Sequence, residues 1–227
     1  MSAVDTYEEL QSAIGDAANR DDLFDNVTAY SPAVIDGMIK RVIADATTGI
    51  QRDLLARGGH KNMETVSDAL ATVAGTETVT LPSDFGGQRA FMITANSDYV
   101  PLEFLDPTTL YKQYPSSVTG QPEKFTITGT VTARLRPVAD AAYPIRLIYY
   151  QTLTVLAAGT DNWVLTGHPD IYVSRAMWRL SMLLENDARI QFWKGDYDQL
   201  MSDLMGDDRN VRWAGVPAMP QLQVSIA

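Results

Sequence analysis

Two histidines, His60 and His168, and no cysteine stand among the 227 residues. Any histidine-dependent acid–base or nucleophilic chemistry would have to run through one of these two imidazoles. Thiol catalysis, disulfides and cysteine-bearing zinc sites are excluded outright. His60 follows the pair Gly58-Gly59 and His168 precedes Pro169, so each falls at a helix end, where a histidine is more often a cap or surface residue than a catalyst. Clustered carboxylates occur at Asp21, Asp22 and Asp25, a spacing that holds magnesium against a diphosphate when a second acidic motif faces it from another helix. No second motif is present, which leaves a solvated interhelical loop as the reading. An acid pair for glycoside hydrolysis stays open, because its members can be far apart in sequence and 28 carboxylates are available. No glycine-rich phosphate loop, dinucleotide fingerprint or Gly-x-Ser-x-Gly elbow occurs, which argues against the common nucleotide enzymes and serine hydrolases. Ligands and cofactors are therefore expected to be none: no catalytic, metal or cofactor-binding residue is assigned.

The charge balance points the same way. Eighteen basic residues against 28 acidic ones give −10, the reverse of a nucleic-acid footprint. Residues 1–26 hold seven acids against Arg20 alone and so carry −6 of that total, whereas nothing after Arg212 is charged. With 45% hydrophobic and 20% charged residues the chain has the composition of a folded domain. No apolar run approaches the roughly 18 residues of a membrane span, and a signal-peptide layout is absent, so a soluble protein, intracellular when made, is expected.

The elements that would position these residues come in three blocks. Thr6 and Glu9 form a capping-box pattern ahead of Tyr7, Leu10, Ile14 and Ala17, which predicts a helix over about 6–18. Ser31-Pro32 opens a second helix whose apolar stripe (Ile35, Met38, Ile39, Val42, Ile43, Ala46, Ile50, Leu54) runs to Gly58-Gly59. From Thr65 to Leu156 runs such as ETVTL, RAFMITA, KFTITGTVTARLRP and YPIRLIYYQTLTVL predict strands joined by turns, interrupted by a short helix after Asp106-Pro107. Pro169 opens a helix to about 185, and Asp187 caps another carrying Trp193, Tyr197, Leu200 and Leu204. The fold class is α+β: a helical bundle of two N-terminal and two C-terminal helices, a β-rich insertion and an extended C-terminal tail. The expected divisions are 1–60, 61–165, 166–206 and 207–227.

Two stretches look built for contact. The helix from Pro169 is apolar on two sides: Tyr172, Ala176, Leu180 and Leu183 on one, Ile171, Trp178 and Met182 on another. It is either central in the bundle or meets a neighbouring subunit, with Ile171, Trp178 and Met182 as interface candidates. The uncharged ending WAGVPAMPQLQVSIA is either packed on its own domain or an arm for a partner. In it Pro217 and Pro220 prevent helix, while Leu222, Val224 and Ile226 alternate with polar residues at strand period.

The middle of the chain carries a recognisable succession. Leu81-Pro82-Ser83-Asp84-Phe85 is followed by Pro122, Phe125-Thr126-Ile127-Thr128-Gly129, Leu135-Arg136-Pro137 and Leu147-Ile148-Tyr149-Tyr150. Then come Asn162-Trp163-Val164-Leu165, His168-Pro169-Asp170-Ile171-Tyr172 and a closing Arg189, Trp193 and Tyr197. In that order, over about residues 30–205, the chain resembles the head-to-tail adaptor (connector) proteins of tailed bacteriophages and gene transfer agents. The resemblance implies a non-enzymatic virion protein at the head–tail junction, made in the host cytoplasm. It implies a ring of twelve copies bound to the portal protein above and a tail or nozzle protein below, with no membrane partner. DNA would pass through the ring without specific binding, which suits an acidic chain, since basic walls would hold the phosphates. A portal-docking role would fall on the tail, through Trp213, Val216, Pro217, Met219, Pro220, Leu222, Val224 and Ile226. The alternatives are a glycan-binding or glycan-cleaving tail protein using surface aromatics and a carboxylate pair, and another tail-completion protein.

Overall fold

The computed structural model of the chain describes residues 4–18, 32–95, 97–115, 118–183 and 187–213. Helix α1 (Tyr7–Ala18) starts at the expected capping box: the Glu9 amide donates to Thr6 Oγ1 at 3.3 Å, and the Thr6 amide donates to Glu9 Oε2 at 3.2 Å. Helix α2 (Pro32–Ala56) buries Ile39, Val42, Ile43, Ala46, Ile50 and Leu54, six members of its predicted stripe. It stops at Gly58 and Gly59, both at positive φ, where the Gly59 amide caps the Leu54 carbonyl at 2.9 Å. Gly59 has a second reason to lack a side chain: a Cβ there would lie 2.7 Å from the Tyr150 ring.

The β-rich block follows one short 3-10 turn, Lys61–Met63. Its strands are β1 (Glu64–Ala71), β2 (Thr78–Thr80), β3 (Phe85–Ala95), β4 (Asp98–Pro101), β5 (Glu103–Phe104), β6 (Thr119–Gly120), β7 (Lys124–Thr128), β8 (Thr132–Arg136), β9 (Val138–Ala139) and β10 (Pro144–Gln151). They form sheets of order β1-β10-β3-β4 and β2-β8-β7-β5 and a small parallel pair, β6-β9. Alternation along β10 turns Ile145, Leu147 and Tyr149 inward, where they meet Phe91 and Ile93 of β3 and, from the other sheet, Val79, Phe125, Ala133 and Leu135. Phe91 stacks on Phe125 across that core with ring centroids 4.8 Å apart. Helix α3 (Pro107–Gln113) has the predicted cap, Asp106 accepting from the Thr108 amide at 2.9 Å. The block's first and last long strands pair, Glu64 with Tyr150, so the chain enters and leaves it at one place.

One predicted strand run is cut short. YPIRLIYYQTLTVL leaves the sheet at Gln151, because Leu153 and Leu156 turn instead into the helical core. A short helix that the sequence reading does not contain, α4 (Trp163–Gly167), then starts at Asn162, whose Oδ1 accepts from the Leu165 amide at 3.2 Å. Asn162 is also a buried hub. Its Nδ2 donates to the Thr154 carbonyl at 2.9 Å and to Tyr172 Oη at 2.8 Å, and burial pushes the Tyr172 phenol above its ordinary pKa.

Helices α5 (Pro169–Leu183) and α6 (Asp187–Trp213) complete the bundle. α5 packs on α1, α2, α4 and α6 and so is the central helix, one of the two possibilities its two apolar sides allow. α6 runs seven residues beyond the expected start of an extended tail at 207. Nothing from Asp207 to Trp213 breaks a helix, and the Arg212 guanidinium Nε sits 2.9 Å from Asp208 Oδ2, one turn back, so Gly206 does not end it. The α+β architecture expected from sequence is the observed one.

Candidate functional site

The two histidines lie at helix ends as expected, and they meet at one tryptophan. His60 caps the 3-10 turn by accepting the Asn62 amide on Nδ1 at 3.1 Å, which places the proton of the neutral ring on Nε2. His168 ends α4, its amide donating to the Val164 carbonyl at 2.8 Å. The Trp163 ring stacks on His60 at 4.6 Å and meets His168 edge-on at 6.4 Å. His60 is buried, so it is a core cap and not a surface residue. The His60 imidazole holds structure through its cap and its stack, whereas His168 ends α4 through its backbone amide.

His60 also belongs to a polar cluster that ties the last turns of α6 to the start of β1. Asp208, 4% exposed, accepts the Lys61 amide on Oδ1 at 3.0 Å, with His60 Nε2 at 3.8 Å from the same oxygen. Arg212 donates from Nη1 to Tyr150 Oη at 3.1 Å and lies 3.8 Å from Glu64 Oε2, and Glu64 pairs with Arg89. Burial holds the His60 pKa below its ordinary 6.5, against the pull of Asp208 and helped by Lys61, Arg212 and His168. The unfolded chain therefore takes up the proton first. Stability is full above the unfolded value of about 6.5 and is lost as the pH falls from there through the lower folded pKa. His60→Asn keeps a side-chain acceptor for the cap and should remove that part of the acid slope; chemical denaturation of both proteins between pH 7.5 and 5 reads it, and an unchanged slope would assign it elsewhere.

The sequence-predicted contact residues are not brought together. Of the tail set, Trp213 is the last residue of α6, and Val216, Pro217, Met219, Pro220, Leu222, Val224 and Ile226 lie outside the described residues. Among the interface candidates, Ile171 is 1% exposed within the chain's own core, so it offers no surface and leaves the set. The cause is the central position of α5, which packs Ile171 among this chain's own helices. Trp178 is half-buried beside Tyr197, with ring centroids 6.0 Å apart, and Met182 is 37% exposed. Met182 and Leu183 at the end of α5 and Phe192 near the start of α6 are exposed.

Among the described residues no three of His, Asp and Glu are placed to hold a metal, and Asp21, Asp22 and Asp25 lie outside them. A shallow polar pocket of about 300 Å³ lies between Asn62, Gln151–Thr154 and Asp161–Trp163. Its Asp161 is occupied, accepting the Tyr7 amide at 3.1 Å, and thus serves to seat α1. No helix among the described residues is long and apolar enough to cross a membrane. The Asp208–Arg212 cluster escaped the sequence reading; its one sequence signal is an acid four residues before an arginine near a helix end.

No curated protein matches the chain. The model of one protein family, the SU10 adaptor protein, does match, from residue 5 to residue 220, and so takes in the bundle, the sheets and the stretch just past α6. With nearly its whole length matched, and with side chains committed to packing and capping, the chain belongs to the SU10 adaptor family, a family of bacteriophage head-to-tail adaptors.

Proposed function

We propose that the chain works as a ring of twelve copies between portal and tail, with residues 213–227 as the arm that docks on the portal. The observation that carries the reading is the root of that arm. α6 ends at Trp213 with Arg212 paired to Glu64 of the sheet and Asp208 bonded to the Lys61 amide, and the sequence beyond Arg212 is uncharged and carries Pro217 and Pro220. A fixed body with an apolar, helix-incompatible extension suits strand addition to a partner. The ring's lumen conducts DNA without holding it, in keeping with the −10 net charge. Below, the ring receives a tail or nozzle protein.

Light scattering of the purified chain with and without portal tests this. The full-length chain should be monomeric alone and join the portal in a high-mass complex. A chain ending at Arg212 should keep the circular dichroism and melting of the parent yet stay unbound. A full-length chain that remains monomeric with portal present would refute the reading.

A further inference from the structure

Arg175, in the middle of α5, is only 8% exposed, yet among the described residues it has neither an ion pair nor a hydrogen bond; its Nε is sealed from solvent without a partner. The guanidinium carbon lies 4.4 Å from the Trp178 ring centroid and 5.1 Å from that of Tyr197. Tyr197 is itself held by its bond to Asp53 Oδ2 at 2.7 Å. The slot exists because α2 has glycine at position 49, where a Cβ would come within 2.3 Å of Arg175 Nη2. A glycine inside a helix and a desolvated cation without a carboxylate both cost stability, and the two ring faces offset only part of that cost. An apolar residue of the same volume at 175 would fold at least as well.

A carboxylate from outside supplies what is missing. An arginine fork framed by two aromatic rings, with water largely excluded, is the composition of an interface anchor. We infer that the slot formed by Gly49, Arg175, Trp178 and Tyr197 receives a carboxylate of a second copy of this chain; the inference rests on the self-assembly proposed above. Charge complementarity selects the second copy. Copies that each carry −10 repel, and a cation of one copy aimed at an acid of the next offsets that repulsion where they meet. Many bases are already spent within the chain, Arg89, Lys124, Arg134, Arg136, Arg179 and Arg212 each being ion-paired internally, whereas Arg175 has no ion pair among the described residues. Trp178 and the adjoining Lys194, whose Nζ is 5.7 Å from that ring, continue the surface.

The test uses full-length Arg175→Met, with sedimentation velocity over a range of concentrations, alone and with portal, and thermal unfolding of the monomer. The melting temperature should equal or exceed that of the parent, while self-association weakens at least about tenfold. Arg175→Lys, which keeps the charge and loses the fork, should fall between. Gly49→Ala, which displaces the guanidinium, should weaken association as well. Undiminished association of Arg175→Met overturns the inference and leaves the ring standing. A clear drop in monomer melting temperature assigns Arg175 a purely internal role and also overturns it, as does a variant that forms the ring but loses the portal. A parent chain that never self-associates, with or without portal, overturns the inference and the ring together.

Discussion

Glu77→Ala should lower the unfolding free energy by about 3–5 kcal/mol, the loss typical of stranding one partner of a buried ion pair. Glu77 is the only hydrogen-bonding acceptor that the described contacts give Arg136, which is 2% exposed in the β-sheet core and whose Nε and Nη1 have no partner. The same carboxylate also pairs with Arg134, and the Arg136 guanidinium lies 5.2 Å from the Tyr111 ring centroid. Truncating Glu77 thus leaves a cation in the interior with an aromatic ring for company. For a chain of this size the loss corresponds to a fall of roughly 6–20 °C in melting temperature. Glu77→Gln, which keeps one acceptor, should lose less. The double variant Glu77→Ala/Arg136→Met should recover most of the deficit, because it removes the stranded charge along with its partner. Urea titration of the three variants measures this. A Glu77→Ala loss under about 1 kcal/mol would mean that water reaches Arg136 and that the pair contributes as little as a surface bridge.

What the sequence disclosed depended on how local the physics was. The α1 capping box, the Asp106 cap with Pro107 and the glycine stop of α2 involve partners within four or five residues, and each formed as its spacing predicted. The α2 stripe was legible for the same reason, one period repeating over 25 residues. Long-range contacts were not. Alternation in YPIRLIYYQTLTVL continues past Gln151, and only the helical core waiting for Leu153 and Leu156 ends the strand there. Arg136 reads in sequence as one more strand residue, and its dependence on Glu77, 59 positions away, has no local signal. Ile171 looked available because a helix with two apolar sides has two solutions, and periodicity alone does not choose between a neighbouring helix and a neighbouring chain. The ordered succession of short motifs from Leu81 to Tyr197 carried the family where no single motif could, and the family match confirms that reading.

As a phage adaptor the chain is a structural protein that acts by contacting other phage structural proteins, so its functional chemistry is the chemistry of surfaces. Rigidity then matters more than reactivity. Two separate cores, one helical and one between sheets, meet where β1 and β10 adjoin the ends of α2 and α6. Gly59 against the Tyr150 ring, Gly86 within 3.4 Å of Leu55 as its Cβ would stand, and Leu153 bonded through its amide to Gln51 Oε1 at 3.0 Å fix that junction.

Asp208→Ala should strike the same junction and so separate the root of the arm from the arm itself. Asp208 is buried and serves three residues at once: it accepts the Lys61 amide, pairs with Arg212 and faces His60. Its removal leaves the Lys61 amide without its acceptor and a half-buried arginine with weaker partners, which together should cost about 2–4 kcal/mol. The loss should be local as well as global. Amide exchange over 207–213 should rise well beyond that of 190–204, because the last turns of α6 are held by this carboxylate while the rest of the helix is held by Tyr197, Met201 and Leu204 in the core. Portal binding should survive at a temperature where the variant is folded, since residues 214–227 are untouched. Loss of binding with the arm intact would show that the docking surface begins upstream of Trp213, and unchanged exchange over 207–213 would show that helix packing alone holds the root.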